Sequence, residues 1–293
     1  MEHKTADVST LSIKQLKALI GAAGLSTAGC VEKSDLRAKA TEAQQRLASV
    51  PSKPQTPGAQ TLGGYECLVK GDVANVDLAV ILLHGLGASN SDLASLAPML
   101  RIPGKRVLFV FPQAPEHPLM QTAWWQLDVM KFMTLSQQGP GGAGVAAAIR
   151  DEPVGLKECR VQMQSLIDDV CRMGGVGLDR VVLGGFSQGG AIALTAALRS
   201  EVKLAGCVAM STYLPLRADY PDRFGAHAKS LKIFQAHGTS DMVLQYSYGK
   251  MSAELMQAAG VDVDFKTYNG MAHSACAEEF DDVADFLKAR LAG

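Results

Sequence analysis

Residues 184–198 read GGFSQGGAIALTAAL, and the apolar run Arg180-Val181-Val182-Leu183 stands directly before them. One serine sits among four glycines where a strand-like run gives way to a helix-like one. Glycines on both sides imply a backbone turned too sharply for side chains, and Ser187 implies that the turn exists to present a hydroxyl. Gly185-Phe186-Ser187-Gln188-Gly189 is a G-x-S-x-G match in the strand-turn-helix setting that a nucleophile elbow requires. A serine at a helix start is also an ordinary cap, so the reading depends on partners elsewhere in the chain.

Outward from the elbow, apolar runs alternate with helical patterns. LAVILL precedes a helix over 91–100. RVLFVF is followed, much later, by one over 156–173, and RVVLGG by one over 188–199. LAGCVAM and LKIFQAH come next, then a helix over 247–259, the strand DVDFKTY and a helix over 277–291. This alternation predicts an α/β fold with a mostly parallel sheet covered by helices on both faces, and it puts the site in loops at the carboxyl ends of the strands.

A serine hydroxyl needs a histidine base and a carboxylate to orient it, in the chain order Ser, Asp, His. His237 closes LKIFQAHG, and His273 lies in YNGMAHSA between the last strand and the last helix. Only His273 leaves room upstream for an acid, and Asp241 in HGTSD occupies the loop past the preceding strand. Asp262 and Asp264 compete, but they fall inside a strand pattern and reach its carboxyl end poorly. The order closes as Ser187, Asp241, His273. An oxyanion would find one backbone donor at Gln188 and a second at Leu86, between Gly85 and Gly87 in LLHGLGASN. His84 then reads as a structural residue bonded to its loop rather than a second base.

The chain has 293 residues, 47% of them hydrophobic, and a formal net charge of -1. That balance offers no general nucleic-acid or membrane surface. The six cysteines are scattered without a C-x-x-C pair, which reads as free thiols in a cytoplasmic protein. No apolar leader and no run of membrane-spanning length is seen. PSKPQTP at 51–57 carries three prolines and reads as part of a linker over 51–60, dividing a helical module (1–50) from the main domain (61–293). The module places Leu11, Leu16, Leu19 and Ile20 in one helix with Ser12 as cap, and Leu36, Ala40, Ala43 and Leu47 in a second. The glycine-rich stretch at 139–145 follows no strand and lacks a phosphate loop's lysine, so it reads as a surface loop.

With these residues in view, the main domain resembles the acyl-protein thioesterase/carboxylesterase family of α/β-hydrolases. The matching pieces, in order, are VILLHGLGAS, FVFPQAPEHP, AWWQLD, GGFSQGGAIAL, MSTYLPL, HGTSDMV and GMAHSACAEE. The resemblance implies a triad of Ser187, Asp241 and His273 with Leu86 and Gln188 as oxyanion donors. It also implies hydrolysis of fatty acyl thioesters and oxygen esters, on acylated proteins or lipid esters, without metal or cofactor. Trp124, Trp125 and Leu214 fall in its substrate-binding segments. The family shows Trp-Phe-Asp where this chain has Trp124-Trp125-Gln126-Leu127-Asp128. Met130, Phe132, Met133 and Leu135 follow, as lining of an acyl groove or as ordinary core.

The N-terminal LSIKQLKALIGAAGLSTAGCVEKSDLRAKA resembles SAP-like helix-loop-helix modules. Lys4, Lys14, Lys17, Lys33, Arg37, Lys39 and Arg46 are largely balanced by Glu2, Asp7, Glu32, Asp35 and Glu42. That balance argues against nucleic acid and for a docking element. Two other readings compete with a depalmitoylating or lysophospholipase-type enzyme: a small-ester carboxylesterase, and a non-catalytic binding protein on the same fold.

Overall fold

The computed structural model describes residues 32–49, 59–126 and 154–291, together with Val8, Ser12, Ile13, Leu16, Lys17, Ile20, Thr27 and Cys30. The chain divides into two compact units, Met1–Pro57 and Gly58–Gly293. In the first, helix α1 (Lys33–Ser49) buries Leu36, Ala40 and Ala43 with Val8, Leu16 and Ile20. This is the i, i+4, i+7 stripe expected of an amphipathic helix. Leu11, Leu19 and the Leu47 side chain lie outside the described residues.

The second unit runs β1 (Ala59–Leu62), β2 (Tyr65–Gly71), β3 (Leu78–Leu83), α2 (Asn90–Ala94), β4 (Val107–Pro112), β5 (Glu116–His117) and β6 (Gln121–Thr122). It continues with α3 (Leu156–Gly174), β7 (Val181–Phe186), α4 (Gln188–Leu198) and β8 (Gly206–Met210). The last elements are β9 (Lys232–Gly238), α5 (Tyr246–Ala258), β10 (Asp262–Tyr268) and α6 (Ala277–Leu291). The strands form one eight-stranded sheet in the order β1-β2-β4-β3-β7-β8-β9-β10. From β4 to β10 every neighbour is parallel, while β1 and β2 add an antiparallel edge. This is an α/β-hydrolase fold.

Alternation within the strands explains why both faces need helices. In β3, Ala79, Ile81 and Leu83 join Met163, Leu166, Ile192 and Met256 on one face. Leu78, Val80 and Leu82 join Leu93, Phe280, Val283 and Leu287 on the other. Every residue of β3 and β4 is buried, so neither strand could face water on either side. After β3 the chain steps outward to β4 and then returns to the far side of β3 as β7. The order therefore reverses between β3 and β7, and a crevice opens at their carboxyl ends.

The structure departs from the sequence reading in three places. The helix over 91–100 is only Asn90–Ala94; beyond it Leu96, Ala97, Met99 and Leu100 bond back three residues, and Pro98 has no N–H to donate. The β1–β2 hairpin has no counterpart in the sequence reading. Its first residues, Ala59 and Gln60, belonged to the linker over 51–60, but they pair with Leu68 and Cys67. The short β5–β6 hairpin was also unforeseen, its two-residue strands being too brief to carry a period. Residues 139–145 lie outside the described residues. Among the described residues no helix is long and apolar enough to cross a membrane.

The fold also buries a carboxyl group. Glu279, in the first turn of α6, is wholly shielded from solvent. Burial pushes its acid up to about 8, against the pull of the nearby Cys276 backbone and with help from the Asp282 charge. The native state therefore keeps a proton that the unfolded chain releases at ordinary glutamate values. This stability is complete below the unfolded value and is lost as pH rises through about 8. Glu279→Gln keeps the shape without the titration, so it should gain stability over the parent between mildly acid and mildly alkaline pH. Thermal unfolding of both proteins across that window checks it, and a constant difference would refute the assignment.

Candidate active site

The elbow forms where β7 meets α4. Ser187 has φ 53° and ψ −119°, a conformation that a residue with a side chain adopts only under constraint. Its N–H donates to Met210 O at 2.9 Å, and its carbonyl accepts from Thr212 Oγ1 at 2.7 Å. The glycines permit close approach. A Cβ on Gly189 would stand 2.1 Å from Leu83 O, and one on Gly185 would stand 2.5 Å from the Gly189 carbonyl carbon. Both would collide with backbone, which cannot move aside as a side chain can.

Three loops bring the other groups to this serine. His273 Nε2 lies 3.0 Å from Ser187 Oγ, and His273 Nδ1 lies 2.7 Å from Asp241 Oδ2. Asp241 Oδ1 accepts the N–H groups of Val243 at 2.9 Å and Leu244 at 2.8 Å. The acid and base loops are joined to each other: Ser240 N–H donates to Met271 O, and Gly270 N–H donates to Thr239 Oγ1. The His273 ring rests against Phe186, centroids 5.0 Å apart, with its side chain 15% exposed. Burial alone would raise the Asp241 carboxyl. Hydrogen bonds from His237, His273 and the Leu244 amide outweigh it and hold the acid well below the usual aspartate range.

The loop after β3 passes beside the serine, where a Cβ on Gly85 would lie 3.4 Å from Ser187 Cβ. His84 holds this loop. Its Nε2 accepts the Ala114 N–H at 3.0 Å, so the hydrogen is on Nδ1, which donates to Gly85 O at 2.8 Å. Burial lowers the His84 value, against the pull of the Gly85 carbonyl, and a proton on Nε2 would break the bond to Ala114. Gly87 N–H donates to Thr122 O in the β5–β6 hairpin, and Thr122 Oγ1 donates to Ala88 O. Among the described residues no hydrogen bond occupies the Leu86 or Gln188 amide. Gln188 opens α4, where helix geometry supplies no partner for the first N–H groups.

The expected substrate residues are placed differently. Trp124 and Trp125 are 4% and 3% exposed. The Trp124 indole donates to His84 O at 2.7 Å, and its backbone N–H donates to Gln188 Oε1 at 2.9 Å. Trp124 thus braces the loop holding Leu86 and ties it to the elbow. Leu214 is 1% exposed, packed in the core, with its N–H on Ser252. Met130, Phe132, Met133 and Leu135 lie outside the described residues. Both tryptophans border a cleft of about 460 Å³ with Pro115, His117, Leu119 and Val154. A larger one, about 680 Å³, lies at the opposite end of the sheet beside Lys70, Arg101 and Lys105, away from the serine. Sequence reasoning missed the second contact on Asp241, from His237 Nε2 at 3.2 Å. The signal was present in the four-residue spacing from His237 to Asp241 across a strand end.

Comparison with known proteins places the chain in a family. The phospholipase/carboxylesterase family model matches residues 68–291. Acyl-protein thioesterase 1 of Neurospora crassa is 35% identical over 223 residues, covering 75% of this chain and 89% of that one. The Candida albicans acyl-protein thioesterase 1 is 34% identical over 223 residues, covering 72% and 90%. Among solved structures, Zea mays acyl-protein thioesterase 2 superposes with TM-score 0.60 at 25% identity, covering 77% of this chain and 98% of that one. Arabidopsis thaliana SOBER1 shares the fold, with TM-score 0.59 at 24% identity, covering 73% and 99%. The chain belongs to the phospholipase/carboxylesterase family of α/β-hydrolases and is a hydrolase of esters or thioesters.

Proposed function

We propose that the protein cleaves acyl thioesters, including those on acylated proteins, through an acyl-enzyme on Ser187. The unbroken line from Asp241 Oδ2 through His273 to Ser187 Oγ, at 2.7 and 3.0 Å, carries this reading. His273 Nε2 takes the hydroxyl proton as Ser187 Oγ attacks the acyl carbonyl carbon. Asp241 stays ionised and stabilises the imidazolium that forms. The Leu86 and Gln188 amides receive the oxyanion. Collapse expels the thiol, which leaves with the proton from His273. Water then gives a proton to His273 and attacks the acyl carbon, and the second collapse releases the fatty acid and returns the proton to Ser187.

The thioester preference rests on the curated relatives, which are acyl-protein thioesterases. The six cysteines are all free, which supports work in the reducing cytoplasm. We assign the first unit, SAP-like in sequence, to docking with the acylated client, and the acyl contacts to the tryptophan-lined cleft and the apolar run after Trp125. The test is a panel of acyl thioesters and oxygen esters of graded chain length, run on the full chain and on a form lacking residues 1–57. A thioesterase of this kind gives kcat/KM rising with acyl length and thioesters ahead of matched oxygen esters. Best activity on acetyl oxygen esters would overturn it in favour of a small-ester carboxylesterase. Truncation should spare small soluble substrates and slow only the acylated protein, through lost effective concentration.

A further inference from the structure

One oxygen of Asp241 faces two histidines. Oδ2 lies 2.7 Å from His273 Nδ1 and 3.2 Å from His237 Nε2, while Oδ1 is taken by the two amides of its own loop. His237 is the penultimate residue of β9, and its side chain and that of Asp241 are both wholly removed from solvent. His237 Nε2 also lies 2.8 Å from Leu244 O. A carbonyl can only accept, so Nε2 carries a hydrogen, which goes to Leu244 O while Asp241 Oδ2 lies 3.2 Å from the same nitrogen. Its Nδ1 has no hydrogen-bond partner among the described residues. That edge of the ring faces Gly249 in α5, where a Cβ would come within 2.3 Å of Nδ1. Tyr246 meets the ring nearly at a right angle, centroids 6.1 Å apart. Backbone therefore confines the imidazole from the α5 side, and turning it over would withdraw its N–H from Leu244 O and Asp241 together.

We infer that His237 is a positioning residue for the acid of the triad, aiming Asp241 Oδ2 at His273 through the polar Nε2 edge that Leu244 O holds 3.2 Å from that oxygen. The inference rests on the triad reading above. A carboxylate held at one oxygen alone can still swing the other about its own bond. His273 cannot by itself hold Oδ2, because that ring is partly exposed and is the group being oriented. A polar group from a buried ring on β9, a strand flanked by β8 and β10, is independent of the base loop. It also sets a polar N–H edge beside a charge that burial penalises, so the carboxylate is already formed and aimed when His273 takes the serine proton. Leu244 links the parts: its N–H binds Asp241 Oδ1 and its carbonyl binds His237. The loop and the ring thus fix the two carboxylate oxygens from opposite sides.

A double-mutant cycle separates this role from simple packing. His237→Leu, His237→Gln and His237→Asn are made in the parent and in Asp241→Asn, and kcat and KM are measured on a small soluble thioester. In the parent, H237L should lower kcat by about 10- to 100-fold, the scale of one hydrogen bond to a charged group, with KM little changed. Gln reaches with an amide N–H where Nε2 stood and should restore most of the loss; Asn is too short and should not. In the D241N background H237L should cost nothing further, since the residue acts through that carboxylate. Losses that multiply across the two sites would overturn the proposal, as would equal kcat for H237Q and H237N. The last comparison decides the matter even where H237L does not fold. If D241N keeps kcat within about ten-fold of the parent, where a triad acid is worth on the order of 10⁴-fold, the triad reading falls instead.

Discussion

Ser187→Ala is expected to lower turnover by on the order of 10⁴-fold or more, and to abolish labelling by a fluorophosphonate probe. The size follows from the members of such a site acting as a unit. Without Oγ there is no covalent step, and the remaining catalysis comes only from the oxyanion donors and binding. The variant should still fold. The φ of 53° at this position is imposed by the strand before it and the helix after it, and alanine meets the same constraint with fewer atoms. The change deletes one hydrogen bond, to His273 Nε2 at 3.0 Å, and leaves those of the serine backbone intact. Fluorophosphonate labelling, kcat and an unfolding curve measured together check it. Labelling that survives the substitution would mean that the nucleophile lies elsewhere.

Gly189→Ala is expected to damage both stability and turnover, by another route. The added methyl would stand 2.1 Å from Leu83 O and 2.5 Å from His84 O, so α4 and the end of β3 must separate. His84 O is also the acceptor for the Trp124 indole, and its loop carries Leu86. One methyl thus strains the nucleophile turn, the tryptophan brace and the oxyanion loop at once. We expect a loss of about 3 kcal/mol in stability, at the upper end for overpacking. Because sub-ångström errors at such sites are costly, kcat should fall at least 100-fold. Urea unfolding and kinetics on the folded fraction test this. Gly260→Ala is a useful control for the stability part: its surroundings are open, and only its positive φ of 84° resists the side chain. Equal effects of the two substitutions on kcat would show that the crowding at Gly189 has no bearing on catalysis.

These expectations draw on different layers of information. The elbow was legible in GGFSQGG because its requirements are local: glycines where backbone meets backbone, and a serine where a buried strand ends. The parallel sheet was legible because LAVILL, and the runs VLFVF and VVLGG after Arg106 and Arg180, are apolar throughout, which only strands covered on both faces can be. Asp241 and His273 were legible as loop residues past strand ends. By contrast, the β1–β2 edge depended on pairing, and the shortness of α2 on a switch to bonds three residues back around Pro98. The outward face of Tyr65–Gly71 is only partly buried, so its pattern is faint.

What the sequence by itself determined is the set of candidate reactive groups and the end of the sheet where they gather, because alternation and turn chemistry act over a few residues. Only the tertiary structure decided how they divide the work. His237 and His273 both end up on Asp241 Oδ2, and strand order, not composition, turns one toward Ser187 and seals the other against Gly249. Trp124 and Leu214 carry apolar side chains that would serve a groove or a core equally well. Packing buried both, left Trp124 bordering the cleft beside His117 and Val154, and drew its indole to His84 O because a buried indole N–H needs an acceptor. Contacts between residues 40 or 86 positions apart arise from the whole sheet closing around them, and no short stretch of sequence holds that information.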